Sequence, residues 1–125
     1  MKAGGKTSGD RGENLAAGFL EKNGFKIVER NWRCKGGEID IIAIDGKTLV
    51  FVEVKARGDS SLGTPFEAVN FRKVARIEHA ARLFLASKKL EDVCIRFDVV
   101  GVALDSVPPR LELIRDAFRP ASAWG

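Results

Sequence analysis

Apolar residues change their period several times along the chain, and each change marks an element. Ala16, Ala17 and Leu20 recur at helical spacing, Glu13 lies a turn earlier, Leu15 and Phe19 widen the stripe, and Gly24 provides a C-terminal stop. A first helix is predicted over residues 10–23. Phe25 to Arg33 is β-capable and ends in Lys35-Gly36-Gly37; Glu38 to Ile44 then carries Ile39, Ile41 and Ile42 up to a turn at Asp45-Gly46. This pattern predicts a hairpin. The next stretch, Leu49-Val50-Phe51-Val52-Glu53-Val54-Lys55, is almost continuously apolar, as in strands covered on both faces, and is expected to be the central strand.

After a loop from Arg57 to Gly63, Thr64-Pro65-Phe66-Glu67 reads as a capping box with proline at the first helical position. The helix it opens is predicted to run to Ser87, burying Phe66, Val69, Ile77, Ala80, Ala81 and Phe84. Cys94 to Ala103 is a further strand, Pro108-Pro109 a break, and Leu111 to Ile114 an edge strand. The order α-β-β-β-α-β-β suits an α/β fold with a mixed sheet flanked by helices, the second helix carrying a parallel crossover. Residues 10–118 are expected to form one domain, with an N-terminal arm over 1–9 and a C-terminal tail over 119–125.

Composition narrows the partners. No apolar run approaches the ~20 residues needed to span a bilayer, and the first ten residues are rich in Gly, Lys and Ser without the apolar core of a signal peptide. A soluble, cytoplasmic protein with no membrane partner is expected. Two distant cysteines, Cys34 and Cys94, and one histidine, His79, fall short of a zinc site or a disulfide framework. Lys and Arg number 21 against 17 Asp and Glu, and the pI of 9.3 is in the range of nucleic-acid-binding domains without being peculiar to them.

The chemistry concentrates on the central strand. Alternation sends Glu53 and Lys55 to one face and Val52 and Val54 to the other. Pairing through the Asp45-Gly46 turn brings Asp40 near Glu53, with a register uncertain by a residue or two. Adjacent carboxylates repel, raising the pKa of one, unless a cation lies between them, and a hard divalent ion such as Mg²⁺ (or Mn²⁺) suits oxygen ligands. Lys55 beside such an ion would orient or help deprotonate an attacking water, or stabilise charge on a phosphate. Glu13 heads the apolar stripe of the first helix, where two readings stay open: a third acid facing the site, or an acid favoured there by the helix dipole alone.

Gly12-Glu13, Arg30-Asn31-Trp32-Arg33, Gly37-Glu38-Ile39-Asp40-Ile41-Ile42-Ala43, Val50-Phe51-Val52-Glu53-Val54-Lys55 and Arg96-Phe97-Asp98-Val99-Val100 resemble the YraN-like family of small bacterial proteins, from about Gly9 to Val102. A helix-borne Glu, then Asp, then Glu-x-Lys is also similar to the active site of the PD-(D/E)XK nuclease superfamily, especially the archaeal Holliday-junction resolvases. That resemblance implies a restriction-endonuclease-like sheet, Asp40 and Glu53 as metal ligands, Lys55 as the catalytic lysine and Glu13 as an accessory acid. It implies a Mg²⁺-dependent endonuclease acting on DNA, structured or branched, and a homodimer, since symmetric cutting of two strands needs two sites. A non-catalytic nucleic-acid-binding or adaptor module keeping this fold is the alternative, and the residues do not separate DNA from RNA.

Cations that would follow a phosphate backbone are Arg30, Arg33, Arg57, Arg72, Lys73 and Arg76; Arg72, Arg76 and His79 form a helical stripe with Lys73 alongside, which equally describes an ordinary solvated face. His79 is expected at the surface or rim, and Trp32 in the core in preference to a base-stacking role. Asp98, between Phe97 and Val99, needs a partner and is read as anchoring Arg96 or a basic residue of the second helix. Cys34 and Cys94 are read as an exposed thiol and a small core residue respectively.

Overall fold

A computed structural model describes residues 8–57 and 71–119. Within them α1 (Ser8–Lys22), β1 (Lys26–Cys34), β2 (Gly37–Asp45), β3 (Thr48–Arg57), α2 (Phe71–Ser87), β4 (Cys94–Ala103) and β5 (Arg110–Ile114) follow the expected α-β-β-β-α-β-β order. The Thr64–Glu67 capping box, Phe66, Val69, most of the 57–63 loop and the proposed arm and tail lie outside the described residues, except Ser8, Gly9 and Arg119.

The five strands form one sheet in sequence order, β1-β2-β3-β4-β5, so β3 is central. Neighbours are antiparallel except β3 and β4, which run parallel from Thr48↔Cys94 to Arg57↔Ala103 across the α2 connection. The turns use the residues their backbones require: Gly24, Gly36 and Gly46 have φ of 90°, 93° and 65°, a region other residues avoid. Helix α1 starts two residues before the expected boundary and closes at Gly24, where the Phe25 N–H donates to the Leu20 carbonyl.

A buried layer covers each face of the sheet. Ile41, Ala43, Val50, Val52, Val100 and Val102 pack with Ala16, Ala17 and Leu20 of α1. On the other face Ile39, Ile42, Leu49, Phe51 and Phe97 pack with Ile77, Ala80, Ala81 and Phe84 of α2. Full burial of each large aliphatic or aromatic side chain contributes roughly 1.5–3 kcal/mol, so these layers fix how both helices sit on β3. Both helices approach closely: a Cβ on Gly12 would lie 2.4 Å from the Ala56 Cβ, and one on Gly37 would lie 2.4 Å from the Arg76 carbonyl oxygen.

Besides a register shift of β1 on β2 between Ile27 and Glu29, strand alternation breaks near the site. Ile39 packs toward α2 and Ile41 toward α1, although residues two apart in a regular strand share a face. On the paired strand, Trp32 packs toward α2 while Arg30 reaches Glu13 on α1. Between them Asn31 has φ of 56°, a left-handed conformation that asparagine tolerates better than most residues. The strand pair therefore turns over at Asn31 and Asp40, at the edge of the site.

Candidate active site

The β2–β3 ladder runs from Asp45↔Thr48 to Ile41↔Val52, and the Asp40 side chain takes over where it ends. The Val54 backbone N–H donates to Asp40 Oδ2 at 2.8 Å. This bond pins the Asp40 carboxyl beside Glu53, so the expected meeting of the two acids occurs, and Asp40 hydrogen-bonds Glu53 when one of them is protonated. Glu53 is only 4% exposed. Burial, then the charge of Glu53, pushes the Asp40 carboxyl up to about 7, against the lowering effects of the Val54 N–H and the Lys73 ammonium.

Lys73 comes from α2. Its Nζ lies 2.5 Å from Glu53 Oε2, and although burial would lower its pKa, this contact holds the ammonium charged above the ordinary lysine range. Lys73, 38% exposed, is therefore held by Glu53 in this structure, a contact that the sequence expectation did not include. Its position explains why: Lys73 precedes Ile77 by four residues, Ala80 by seven and Phe84 by eleven, which puts it on the buried stripe of the helix. Arg72, Arg76 and His79 do point outward, and the His79 ring Nε2 contacts the Lys35 carbonyl at 3.1 Å, at the rim as expected.

Two clefts meet at Asp40 and Lys73. One, of about 570 Å³, lies between the β1–β2 hairpin and α2 and includes Arg33, Gly37, Asp40, Glu53, Lys73 and Arg76. The second, of about 330 Å³, opens toward α1 and includes Asp10, Glu13, Asp40, Lys55 and Lys73. Lys55 is half-buried there, two residues from Glu53 on β3, as alternation requires.

Glu13 is 7% exposed and meets Asn31 and Arg30, so the helix dipole is not the only thing acting on it. Its Oε1 accepts from Asn31 Nδ2 at 3.0 Å and lies 3.4 Å from Arg30, whereas its buried Oε2 has no hydrogen-bond partner. Arg30 also donates to Asn14 Oδ1 at 2.6 Å, so this part-exposed cation is engaged by α1. Arg33 is exposed and 3.8 Å from Glu38 on the cleft rim, Arg72 is exposed, and the Arg57 side chain lies outside the described residues. Sequence reasoning missed Asn31 as the ligand of Glu13; the preference of asparagine for left-handed backbone was the available signal.

Trp32 packs edge-on against Phe84 with centroids 5.4 Å apart, half-buried in the α2-side layer. Asp98 is fully buried and anchors Arg96 as expected. The cysteines are reversed: Cys34 is half-buried and Cys94 exposed, because Cys94 begins β4 outside the packed layers.

Among the described residues, no three His, Cys, Asp or Glu side chains converge as a ready metal cage. Asp40 and Glu53 offer the type of donor that Mg²⁺ commonly uses, one or two carboxylates with several waters kept, and Lys73 already contacts one of the Glu53 oxygens.

The fold and site define an α/β chain whose central strand and its neighbour β2 bring an acid pair and a lysine to clefts lined by both acids and cations. Residues 12–102 match the model of the uncharacterised protein family UPF0102. The chain belongs to that family, the YraN-like proteins. It is 47% identical to a UPF0102 protein of Geobacter metallireducens over 93% of this chain and 95% of the relative. It is 53% identical to one from Desulforapulum autotrophicum over 86% and 88%, and 50% identical to one from an Arthrobacter species over 86% and 92%. No helix among the described residues is long and apolar enough to cross a membrane.

Proposed function

We propose that this chain is a metal-dependent endonuclease of the PD-(D/E)XK type, hydrolysing phosphodiester bonds in DNA, with structured or branched DNA as its substrate class. The carrying observation is the meeting of Asp40 with the buried Glu53, which raises the proton affinity of Asp40 where two clefts join, one lined by Arg33 and Arg76 and the other by Arg33 and Lys55. A single ammonium, that of Lys73, faces two acids there, and acids perturbed in this way in a cleft are candidates for a reactive site.

Asp40 and Glu53 would hold Mg²⁺ or Mn²⁺, which when bound supplies Lewis-acid activation of water and neutralises charge on the phosphate. The Val54 N–H fixes one Asp40 oxygen, so the direction in which the other can act is set by the backbone of β3. Lys55 offers a cation to the phosphate oxygen that gains charge as water adds to phosphorus and the P–O ester bond breaks, the departing alkoxide taking up a proton. Glu13 faces the same cleft as Lys55 and Asp40 with one oxygen free, which suits an accessory acid. Arg33 and Arg76 lie where flanking phosphates would run, and two copies of the chain would cut two strands symmetrically.

The test is cleavage of labelled single-stranded, duplex, flap and four-way-junction DNA, and of RNA, in Mg²⁺ or Mn²⁺. Glu53→Ala and Lys55→Ala should each lower cleavage by at least about a hundredfold while the protein stays folded. One observation favours a second reading, a non-catalytic nucleic-acid-binding module: Lys73 already neutralises Glu53 without a metal. Binding that is indifferent to metal, with no cutting of any substrate by the wild type, would select it.

A further inference from the structure

The Lys73–Glu53 contact poses a question that the nuclease reading leaves open. A divalent ion held by Asp40 and Glu53 must come within bonding distance of a carboxylate whose Oε2 already bears an ammonium at 2.5 Å. Lys73 also acts on Asp40, so one side chain of α2 serves as the positive charge for both acids. Glu53 is 4% exposed, and ammonium and dication cannot share its oxygen at close range without strong repulsion in so dry a place. Lys73 is anchored on the buried stripe of α2, but its long, flexible side chain reaches the cleft that also holds Arg33 and Arg76.

We propose that Lys73 is a tethered counter-ion of the acid pair which an entering divalent ion displaces, and which then turns into the hairpin–α2 cleft to bind substrate phosphate. This rests on the metal-dependent reading above. It makes metal loading and phosphate binding reciprocal: a dication that frees Lys73 raises affinity for a phosphodiester, and the phosphodiester raises affinity for the dication by the same factor. Until an ion arrives, Lys73 is held by the acids and is not available to nucleic acid.

The experiment is Mn²⁺ binding by calorimetry near pH 8.5, above the range in which Asp40 takes up a proton, without nucleic acid. Removing the competing charge in Lys73→Met should tighten Mn²⁺ binding by about tenfold or more, and Lys73→Arg should stay close to wild type. A phosphorothioate DNA duplex, verified to stay intact during the titration, should bind wild type more tightly when Mn²⁺ is present, and Lys73→Met with little dependence on the ion. Equal or weaker Mn²⁺ binding by a folded Lys73→Met, with wild type binding normally, overturns the proposal and leaves the nuclease reading standing. No binding by either protein overturns both. If Lys73→Met does not fold, NMR of the wild type decides: Mg²⁺ should shift the Asp40 and Glu53 carboxyl carbons together with the Lys73 ammonium signal. Carboxyl shifts with an unmoved ammonium overturn the displacement, and unmoved carboxyls overturn metal binding itself.

Discussion

Two groups of acids, each with buried members, lie in or against this sheet, and their chemistry is opposite. Toward the β2–β3 turn, Asp98 is fully buried yet satisfied at both oxygens: Oδ1 accepts from Arg96 Nε and the Asp116 N–H, each at 2.9 Å, and Oδ2 accepts from the second Arg96 nitrogen at 2.9 Å. Arg96 also donates to Asp45 at 2.8 Å, its guanidinium lies over Phe25, and these acids hold it charged well above the ordinary arginine range. Where the β2–β3 ladder ends, Asp40 and Glu53 repel each other, and a buried Glu13 oxygen has no partner. Burial alone therefore does not mark a reactive acid. The difference lies in what the carboxylate still lacks.

The largest expected effect belongs to the satisfied group. Arg96→Met strips Asp98 of two of its three hydrogen bonds and leaves a charge in the apolar layer, at a cost of about 3 kcal/mol or more in urea-unfolding free energy. Activity per folded molecule should be unchanged, because none of these residues borders the clefts at Asp40. A loss of stability under 1 kcal/mol would show that Asp98 is not an anchor, and the contrast between the two groups would fail.

The opposite sign is expected at the acid pair. The folded state raises the Asp40 pKa from 3.8 to about 7, so it holds a proton more tightly than the unfolded chain does. Below pH 3.8 both states are protonated and the group is neutral to stability; as pH rises from there to about 7 the folded state loses relative stability, and above that window the full penalty applies. Asp40→Asn keeps an acceptor for the Val54 N–H and removes the charge. In EDTA it should stabilise the protein at pH 8 by about 2 kcal/mol, roughly half of what the full shift would give because the Asp40 side chain is only part-buried, with the gain fading as pH is lowered to 4. Added Mg²⁺ should stabilise wild type and leave the variant unmoved. An Asp40→Asn protein less stable than wild type at pH 8 without metal would make Asp40 a structural acid like Asp98.

The contrast was partly legible in the sequence. Period-two alternation put Glu53 with Lys55, and the Asp45-Gly46 turn brought Asp40 to Glu53, because both are local rules that packing had no reason to override. The chain order and the central place of β3 followed from the same local signals. Lys73 was hidden because its neighbours Arg72 and Arg76 face solvent; the fact that Lys73 falls in phase with Ile77, Ala80 and Phe84 marks it as a cation on an apolar stripe. Arg30 was not legible at all. Its direction depends on the left-handed Asn31 turning β1 over, and on where α1 crosses that strand, which is a tertiary property.

Arg30 and Arg33 give the finest test, since they lie three residues apart on β1 and are assigned different work. Arg33 is 68% exposed with Glu38 51% exposed at 3.8 Å, so Arg33→Ala should change unfolding free energy by less than about 0.5 kcal/mol. If its guanidinium follows a phosphate, the variant should weaken DNA binding and reduce the salt dependence of the binding constant by about one counter-ion. Arg30, bonded to Asn14 and paired with the buried Glu13, should leave that salt dependence unchanged when replaced by alanine. Titrations of one duplex over a range of salt would compare the two directly. Equal reductions would mean that the phosphate path crosses the α1 side of the sheet, and the free Glu13 oxygen would then lie under the nucleic acid and not at its margin.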